Sequence, residues 1–221
     1  MIVKICGLAR PQDVETAARL GADVLGMISG VPQSPRNNST AQLQSLLQHV
    51  GTCRSAFLRR NAPLAETLAL LQQLQPDILH LCGQETLAER EEILQAHPEL
   101  EIWQTIGVPV DQPLNAALVS RVQKALHDPS IHQVLIDSSL QGLSGGTGQL
   151  IPAHGLLKEL GHDSQKIVVA GGLHPANVAS LLRDFQLRGV DVSSGVESAP
   201  GVKSAKLIEQ FLNVVHGAGP D

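Results

Sequence analysis

Apolar and polar residues alternate along this chain in blocks, and the blocks have two different periods. Short apolar runs rich in Val, Ile and Leu recur at Ile2–Cys6, Asp23–Ile28, Arg54–Leu58, Asp77–Leu81, Glu101–Ile106, Gln133–Asp137, Lys166–Ala170 and Val190–Ser193. Runs of this length bounded by turn residues predict buried β-strands. Between them apolar residues fall at three- and four-residue spacing, as in Val14, Ala17, Ala18 and Leu20, or Leu64, Leu68, Leu71 and Leu74, which predicts helices with one apolar face. A last helix is predicted from about Ala205 to Val215, with Leu207, Ile208, Phe211, Leu212 and Val215 on one side.

Near-continuous apolar strands separated by helices imply a parallel sheet covered on both faces. Eight such units close most economically into a (β/α)8 TIM barrel, an α/β fold, read here as a single domain over residues 1–221. An open doubly wound sheet is the alternative. It loses ground because no G-x-G-x-x-G follows the first strand and because the glycine-rich turns fall in the seventh and eighth units. The long loops Ser29–Ser39 and Ser138–Leu150 both follow strands, so in a barrel they rise from the C-terminal face.

Two of the strand ends carry glycine-bearing turns, Val168-Val169-Ala170-Gly171-Gly172-Leu173 and Val190-Asp191-Val192-Ser193-Ser194-Gly195. Each is expected to open a helical stretch and to present backbone N–H groups with little side-chain bulk in the way, which suits phosphate. Composition agrees with a small-molecule role. The net charge is −5, without a Lys/Arg run, so nucleic acid and acidic lipid are excluded as partners. Aromatic residues are only 2% of the chain, so base-stacking platforms are excluded too. No apolar run approaches the roughly 18 residues of a membrane span, and Met1 leads straight into a strand, so a cytoplasmic location is expected. Cys6, Cys53 and Cys82 are widely spaced and odd in number, which argues against disulfides and a CxxC site; the nine histidines show no metal-binding spacing, so no metal is expected.

Three side chains at predicted strand or loop ends could carry chemistry. Cys6 ends the first strand ahead of Gly7, and Lys4 on the same face is expected to lower its thiol pKa. Asp137 ends the sixth strand, where a carboxyl is either employed or satisfied by its own loop, and a barrel would set it across one mouth from Cys6. Arg36, stiffened by Pro35, could hold a carboxylate bidentately. The run Gly145-Gly146-Thr147-Gly148 could form a further anion site or a lid, whereas Asp191 and Glu197 are expected to fix the last turn through backbone hydrogen bonds.

As an ordered set, these stretches resemble the phosphoribosylanthranilate isomerase family of tryptophan biosynthesis. The resemblance runs from Val3-Lys4-Ile5-Cys6-Gly7-Leu8 through Ser34-Pro35-Arg36, Asp137, Gly145-Gly146-Thr147-Gly148, Ala170-Gly171-Gly172-Leu173 with Pro175 and Asn177, and Gly189 to Glu197, to Pro200-Gly201-Val202-Lys203. It implies a (β/α)8 barrel and a cofactor-free Amadori rearrangement of an aminoaldose to an aminoketose. It also implies Asp137 as general acid, Cys6 as general base, Gly171, Gly172, Ser194 and Gly195 as phosphate binders, and Arg36 as holder of the anthranilate carboxylate. The oligomeric state is left open by it. The chain departs from the family pattern with His80-Leu81-Cys82-Gly83 for Gln-Leu-His-Gly, Gln104-Thr105 for Lys-Ala, and Ile151-Pro152-Ala153 for Phe-Asp-Trp. Met27 and Leu58 stand where phenylalanines are common. These changes bear on the aromatic headgroup, so a related isomerase of another phosphosugar and a non-catalytic phosphate binder remain as alternatives.

Overall fold

A computed structural model describes residues 1–109, 113–138 and 151–217, the side chains of 151 and 152 excepted. The eight apolar runs form eight strands: β1 (Ile2–Ile5), β2 (Val24–Ile28), β3 (Arg54–Arg59), β4 (Ile78–Leu81), β5 (Glu101–Gly107), β6 (Gln133–Asp137), β7 (Ile167–Ala170) and β8 (Gly189–Val192). Helices α1 (Pro11–Arg19), α2 (Thr40–Leu47), α3 (Leu64–Leu74), α4 (Leu87–Ala96), α5 (Ala116–Leu126), α6 (Ile151–Leu160), α7 (Val178–Asp184) and α8 (Ala205–Gly217) follow them in turn. Neighbouring strands pair in sequence order, and β1 pairs β8 in parallel from Ile2↔Gly189 to Ile5↔Val192, which closes the barrel and excludes the open sheet.

Local chemistry explains several boundaries. Asp23 and Asp77 were expected inside strands but sit just ahead of them. There each carboxylate accepts a backbone N–H of the preceding strand, Val3 N to Asp23 Oδ2 and Ser55 N to Asp77 Oδ2, both at 2.7 Å. Ser39 with Gln42 and Thr86 with Glu89 form capping boxes that start α2 and α4, satisfying amides that have no partner within the helix.

The two faces of each strand have different fates. Outward residues such as Val3, Ile5, Leu25, Met27, Phe57, Ile136, Val169 and Val190 are buried under the helices in one large apolar cluster. Full burial of each such side chain contributes about 1.5–3 kcal/mol. Inward residues form a separate plug of Val24, Ala56, Ile78, Trp103, Leu135 and Val168, with Ile2 packed against it, at the N-terminal end of the barrel. Two residues further along each strand, on the same inward face, the plug gives way to Lys4, Gly26, Leu58, His80, Thr105, Asp137, Ala170 and Asp191. The interior therefore becomes polar toward the C-terminal mouth. A two-stranded antiparallel hairpin, β9 (Glu197–Ala199) with β10 (Val202–Lys203), lies between β8 and α8 and was not expected from the sequence.

Candidate active site

The C-terminal mouth opens into a cavity of about 330 Å³ bordered by Cys6, Arg36, Asp137, Gly171, Gly172 and Ser194. That is near the lower end of the size range of small-molecule sites, roughly 300–1,000 Å³. The residues singled out from four separate strand ends and one loop thus meet at one place. Gly195 stands immediately beyond Ser194 in the same turn.

Cys6 is 4% exposed, and its backbone N–H donates to Val192 O at 2.8 Å, which fixes the strand end beside β8. Gly26 on the neighbouring strand leaves room for it, since a Cβ there would stand 2.9 Å from Cys6 Sγ and 3.1 Å from Lys4 Cε. Lys4 is wholly buried beneath the thiol, and its Nζ donates to Asp191 Oδ2 at 2.9 Å. Burial works against its charge, but the Asp191 carboxylate outweighs burial and holds the ammonium protonated. The expectation that Lys4 lowers the Cys6 pKa holds only for the sign of its contribution. Burial pushes the thiol up more than Lys4 pulls it down, so Cys6 rests protonated near neutrality. Asp191 differs from expectation as well: its carboxylate serves Lys4, 187 positions away, rather than the backbone of the last turn.

Asp137 ends β6, paired with Gly107 on one side and Ala170 on the other. It is partly exposed to the cavity, three strands round the ring from Cys6. The Gly145-Gly146-Thr147-Gly148 run that follows lies outside the described residues.

The two glycine turns are built differently from each other. Gly171 and Gly172 have φ of +87° and +69°, a left-handed path that favours glycine at both positions. Asn177 clamps this loop, its Nδ2 donating to Gly172 O at 2.9 Å while its Oδ1 accepts from His174 N at 2.8 Å. The second turn presses on the first, because a Cβ on Gly195 would collide with Leu173 O and meet His174 Cβ at 2.9 Å. Neither turn leads straight into an α-helix as expected. α7 begins only at Val178, and Ser194–Val196 is a single 3-10 turn, so the amides of these turns belong to the loops and not to an α-helix N-terminus.

Arg36 is held from the hairpin. Its Nε donates to Glu197 Oε1 at 2.7 Å and its Nη2 to Glu197 Oε2 at 2.6 Å, an engagement that does not use Nη1. Lys203 Nζ donates to the same carboxylate at 2.8 Å and to Ser193 O at 3.0 Å. Burial alone would raise the Glu197 carboxyl, but the two cations outweigh it and hold it below its ordinary range. Glu197 therefore positions Arg36 instead of capping the turn with backbone bonds.

The far wall holds a group that sequence reasoning noted only as a departure. His80 Nε2 lies 2.6 Å from Thr105 Oγ1, and Cys82 Sγ lies 3.5 Å from the same oxygen. Burial pushes the Cys82 thiol up, so it is a neutral group here. The signal was available in the sequence: polar residues two apart at strand ends, His80 with Cys82 and Asp191 with Ser193, share the inward face just as Lys4 and Cys6 do. Among the described residues no cluster of three or more His, Cys, Asp or Glu could hold a metal ion.

Residues 3–214 match the family model described as N-(5'phosphoribosyl)anthranilate (PRA) isomerase. The chain is 35% identical over 224 residues to N-(5'-phosphoribosyl)anthranilate isomerase of Acinetobacter calcoaceticus, covering 96% of this chain and 95% of that one. Among solved structures, phosphoribosyl anthranilate isomerase of Thermus thermophilus superposes with a TM-score of 0.77 at 26% identity, over 98% of this chain and 99% of the other. Another isomerase of that name, solved with reduced 1-(o-carboxyphenylamino)-1-deoxyribulose 5-phosphate, shares the fold with a TM-score of 0.76 at 24% identity, covering 98% of this chain and 100% of its own. With a closed eight-stranded barrel, the mouth described above and a match across nearly its whole length, the chain belongs to the N-(5'-phosphoribosyl)anthranilate isomerase family.

Proposed function

We propose that this protein catalyses the Amadori rearrangement of N-(5'-phosphoribosyl)anthranilate to 1-(2-carboxyphenylamino)-1-deoxyribulose 5-phosphate in the cytoplasm, within the one barrel that spans the chain. The observation that carries the reading is the placement of a thiol and a carboxyl, Cys6 and Asp137, on the wall of one cavity with the paired glycine turns and Arg36. The turns at Gly171-Gly172 and Ser194-Gly195 receive the phosphate, and Arg36, held by Glu197, receives the aryl carboxylate. Anchoring both ends positions the sugar carbons between the two proton carriers.

Asp137 delivers a proton to the ring oxygen as the bond from C1 to that oxygen breaks, giving an open-chain iminium. Cys6, as thiolate, then removes the proton on C2; the C–H electron pair forms C1=C2, and the iminium pair withdraws onto nitrogen. The resulting enol-amine tautomerises to the ketone, gaining a proton at C1 and losing one from the C2 hydroxyl. No atom is lost and no redox partner is required. The Lys4 ammonium beneath the thiol favours the thiolate at the moment C2 is attacked.

The reading is tested by turnover of the purified protein with phosphoribosylanthranilate, and by tryptophan-independent growth of a host lacking this isomerase. Cys6→Ala and Asp137→Asn should each lower kcat by about 10²–10⁴, the usual worth of a positioned acid or base, while inorganic phosphate still raises Tm. Near wild-type kcat in either variant refutes that residue's role. If wild type neither turns over nor complements, this reading falls and action on another phosphosugar stands, the alternative favoured by the changed residues at positions 80, 82 and 105, beside a non-catalytic phosphate binder.

A further inference from the structure

The acid–base steps leave unused a polar wall on β4 and β5. His80 is 2% exposed, borders the cavity, and engages Thr105 through Nε2; its other ring nitrogen, Nδ1, is buried with no hydrogen-bond partner among the described residues. Asp191 also borders the cavity, and while its Oδ2 takes the Lys4 ammonium, its Oδ1 is buried and likewise without a partner. A buried polar atom left unpaired costs about 1–3 kcal/mol. Here the two residues that carry them border the same ligand cavity.

The chemistry of the wall restricts what pairs with them. Burial, reinforced by the nearby Lys4 ammonium, pushes the His80 pKa well below its ordinary value, so the imidazole is neutral at working pH. A neutral ring beside an already paired Lys4–Asp191 has no net positive charge to offer phosphate or carboxylate. On the reading given above, those two ends of the substrate are held elsewhere, by the glycine turns and by Arg36. The polar groups left to the substrate are its secondary sugar hydroxyls and the anilino N–H, which can only donate. A hydroxyl can both donate and accept, so it satisfies His80 Nδ1 in either tautomer and suits an acceptor such as Asp191 Oδ1.

We propose that His80 is a substrate-binding residue that recognises a secondary hydroxyl of the phosphorylated sugar through Nδ1, with Thr105 fixing the ring through Nε2. This inference rests on the phosphosugar reading of the cavity but does not require the rearrangement itself. It assigns a role to a position where this chain departs from the family pattern.

The test uses direct binding of ribose 5-phosphate, 2-deoxyribose 5-phosphate and 3-deoxyribose 5-phosphate to the whole protein, beside kcat and KM for phosphoribosylanthranilate. Wild type should bind one of the two deoxy sugars about tenfold more weakly, the equivalent of one satisfied hydrogen bond. His80→Gln keeps an amide near the Nε2 position and the Thr105 contact but loses the Nδ1 group. It should erase the discrimination and raise KM by about tenfold with a smaller change in kcat. His80→Asn, which places an amide near Nδ1 and gives up Thr105, should retain the discrimination. Equal binding of all three sugars by wild type overturns the proposal, and it does so even if neither variant folds. Discrimination intact in His80→Gln, or lost equally in both folded variants, also overturns it and leaves His80 a purely structural partner of Thr105. Turnover without discrimination defeats only this inference. Discrimination without turnover defeats only the isomerase reading.

Discussion

On the proposed mechanism Cys6 must give up its proton, yet burial favours keeping it, and Lys4 is the strongest of the groups that oppose burial. The Cys6 pKa lies above the ordinary thiol value because desolvation exceeds the pull of the ammonium. Because the proposed mechanism uses the deprotonated form, it predicts that kcat/KM climbs with pH through the neutral range, about tenfold per unit while pH stays below the thiol pKa. Lys4→Met removes the cation that lowers the thiol pKa most, Lys203 contributing less, and so moves this acid limb to still higher pH. At pH 7 the variant should therefore be about 10–100-fold slower in kcat/KM, a gap that stays constant through the neutral range and narrows only once the pH passes the wild-type thiol pKa. A gap that persists unchanged above the wild-type thiol pKa would mean that Lys4 only shapes the site. The same substitution leaves Asp191 buried without its partner, so urea unfolding should show a loss of about 3–5 kcal/mol.

At the level of elements, the β9–β10 hairpin is a brace. It is too short to stabilise a sheet, yet it sets Glu197, paired with Lys203, against Arg36 and so fixes that arginine from 161 positions away. Glu197→Gln should leave kcat within a few-fold but raise KM for the aryl-carboxylate substrate by about tenfold, with little change in ribose 5-phosphate binding. It should also change the pH dependence of folding. The Glu197 carboxyl has a folded pKa below its ordinary 4.5, so its stabilisation is present above 4.5 and is lost as pH falls through the lower folded value. Wild-type stability should thus fall more steeply than that of Glu197→Gln on acidification below 4.5, the two converging in urea midpoint. Parallel curves would show that this carboxylate is not coupled to folding. None of this was visible in the sequence, because Glu197-Ser198-Ala199-Pro200-Gly201-Val202-Lys203 mixes polarity without a period and its partner lies in another loop. The strands were visible for the converse reason. Runs such as Val134-Leu135-Ile136 are buried on both faces, and the starts differ by one residue where Asp23 and Asp77 hydrogen-bond across to the preceding strand, at Lys166, which ends a 3-10 turn, and at Gly189, which opens β8. Of the site, Cys6, Asp137 and the glycines announced themselves by chemistry at strand ends, whereas pairings such as Lys4 with Asp191 depend on barrel closure and exist only in three dimensions.

For the molecule as a whole, the division of the barrel interior into an apolar plug and a polar mouth links stability to function. Trp103 is the largest member of the plug, 1% exposed, and it shares that layer with the small Ala56 on one side of the ring, so that one large side chain fills what several smaller ones do elsewhere. Two positions beyond Trp103 on the same face of β5 stands Thr105, which holds His80, and the Lys4–Asp191 pair lies at the same level. Trp103→Ala would open a void directly beneath these polar groups. Loss of the buried ring and the cavity left behind should cost about 3–5 kcal/mol. For a chain of this length that lowers Tm by roughly 6–20 °C, at about 2–4 °C per kcal/mol. If the plug also supports the polar layer, kcat/KM for the folded variant at a temperature well below its Tm should fall as well, because a displacement of about 1 Å in a positioned group can cost up to 10²-fold. A more conservative Trp103→Phe, which keeps most of the volume, should recover most of the activity and much of the stability. Circular dichroism melts and turnover of the two variants side by side separate the effects: a large loss of Tm with wild-type kcat/KM would show that the mouth keeps its geometry independently of what lies under it.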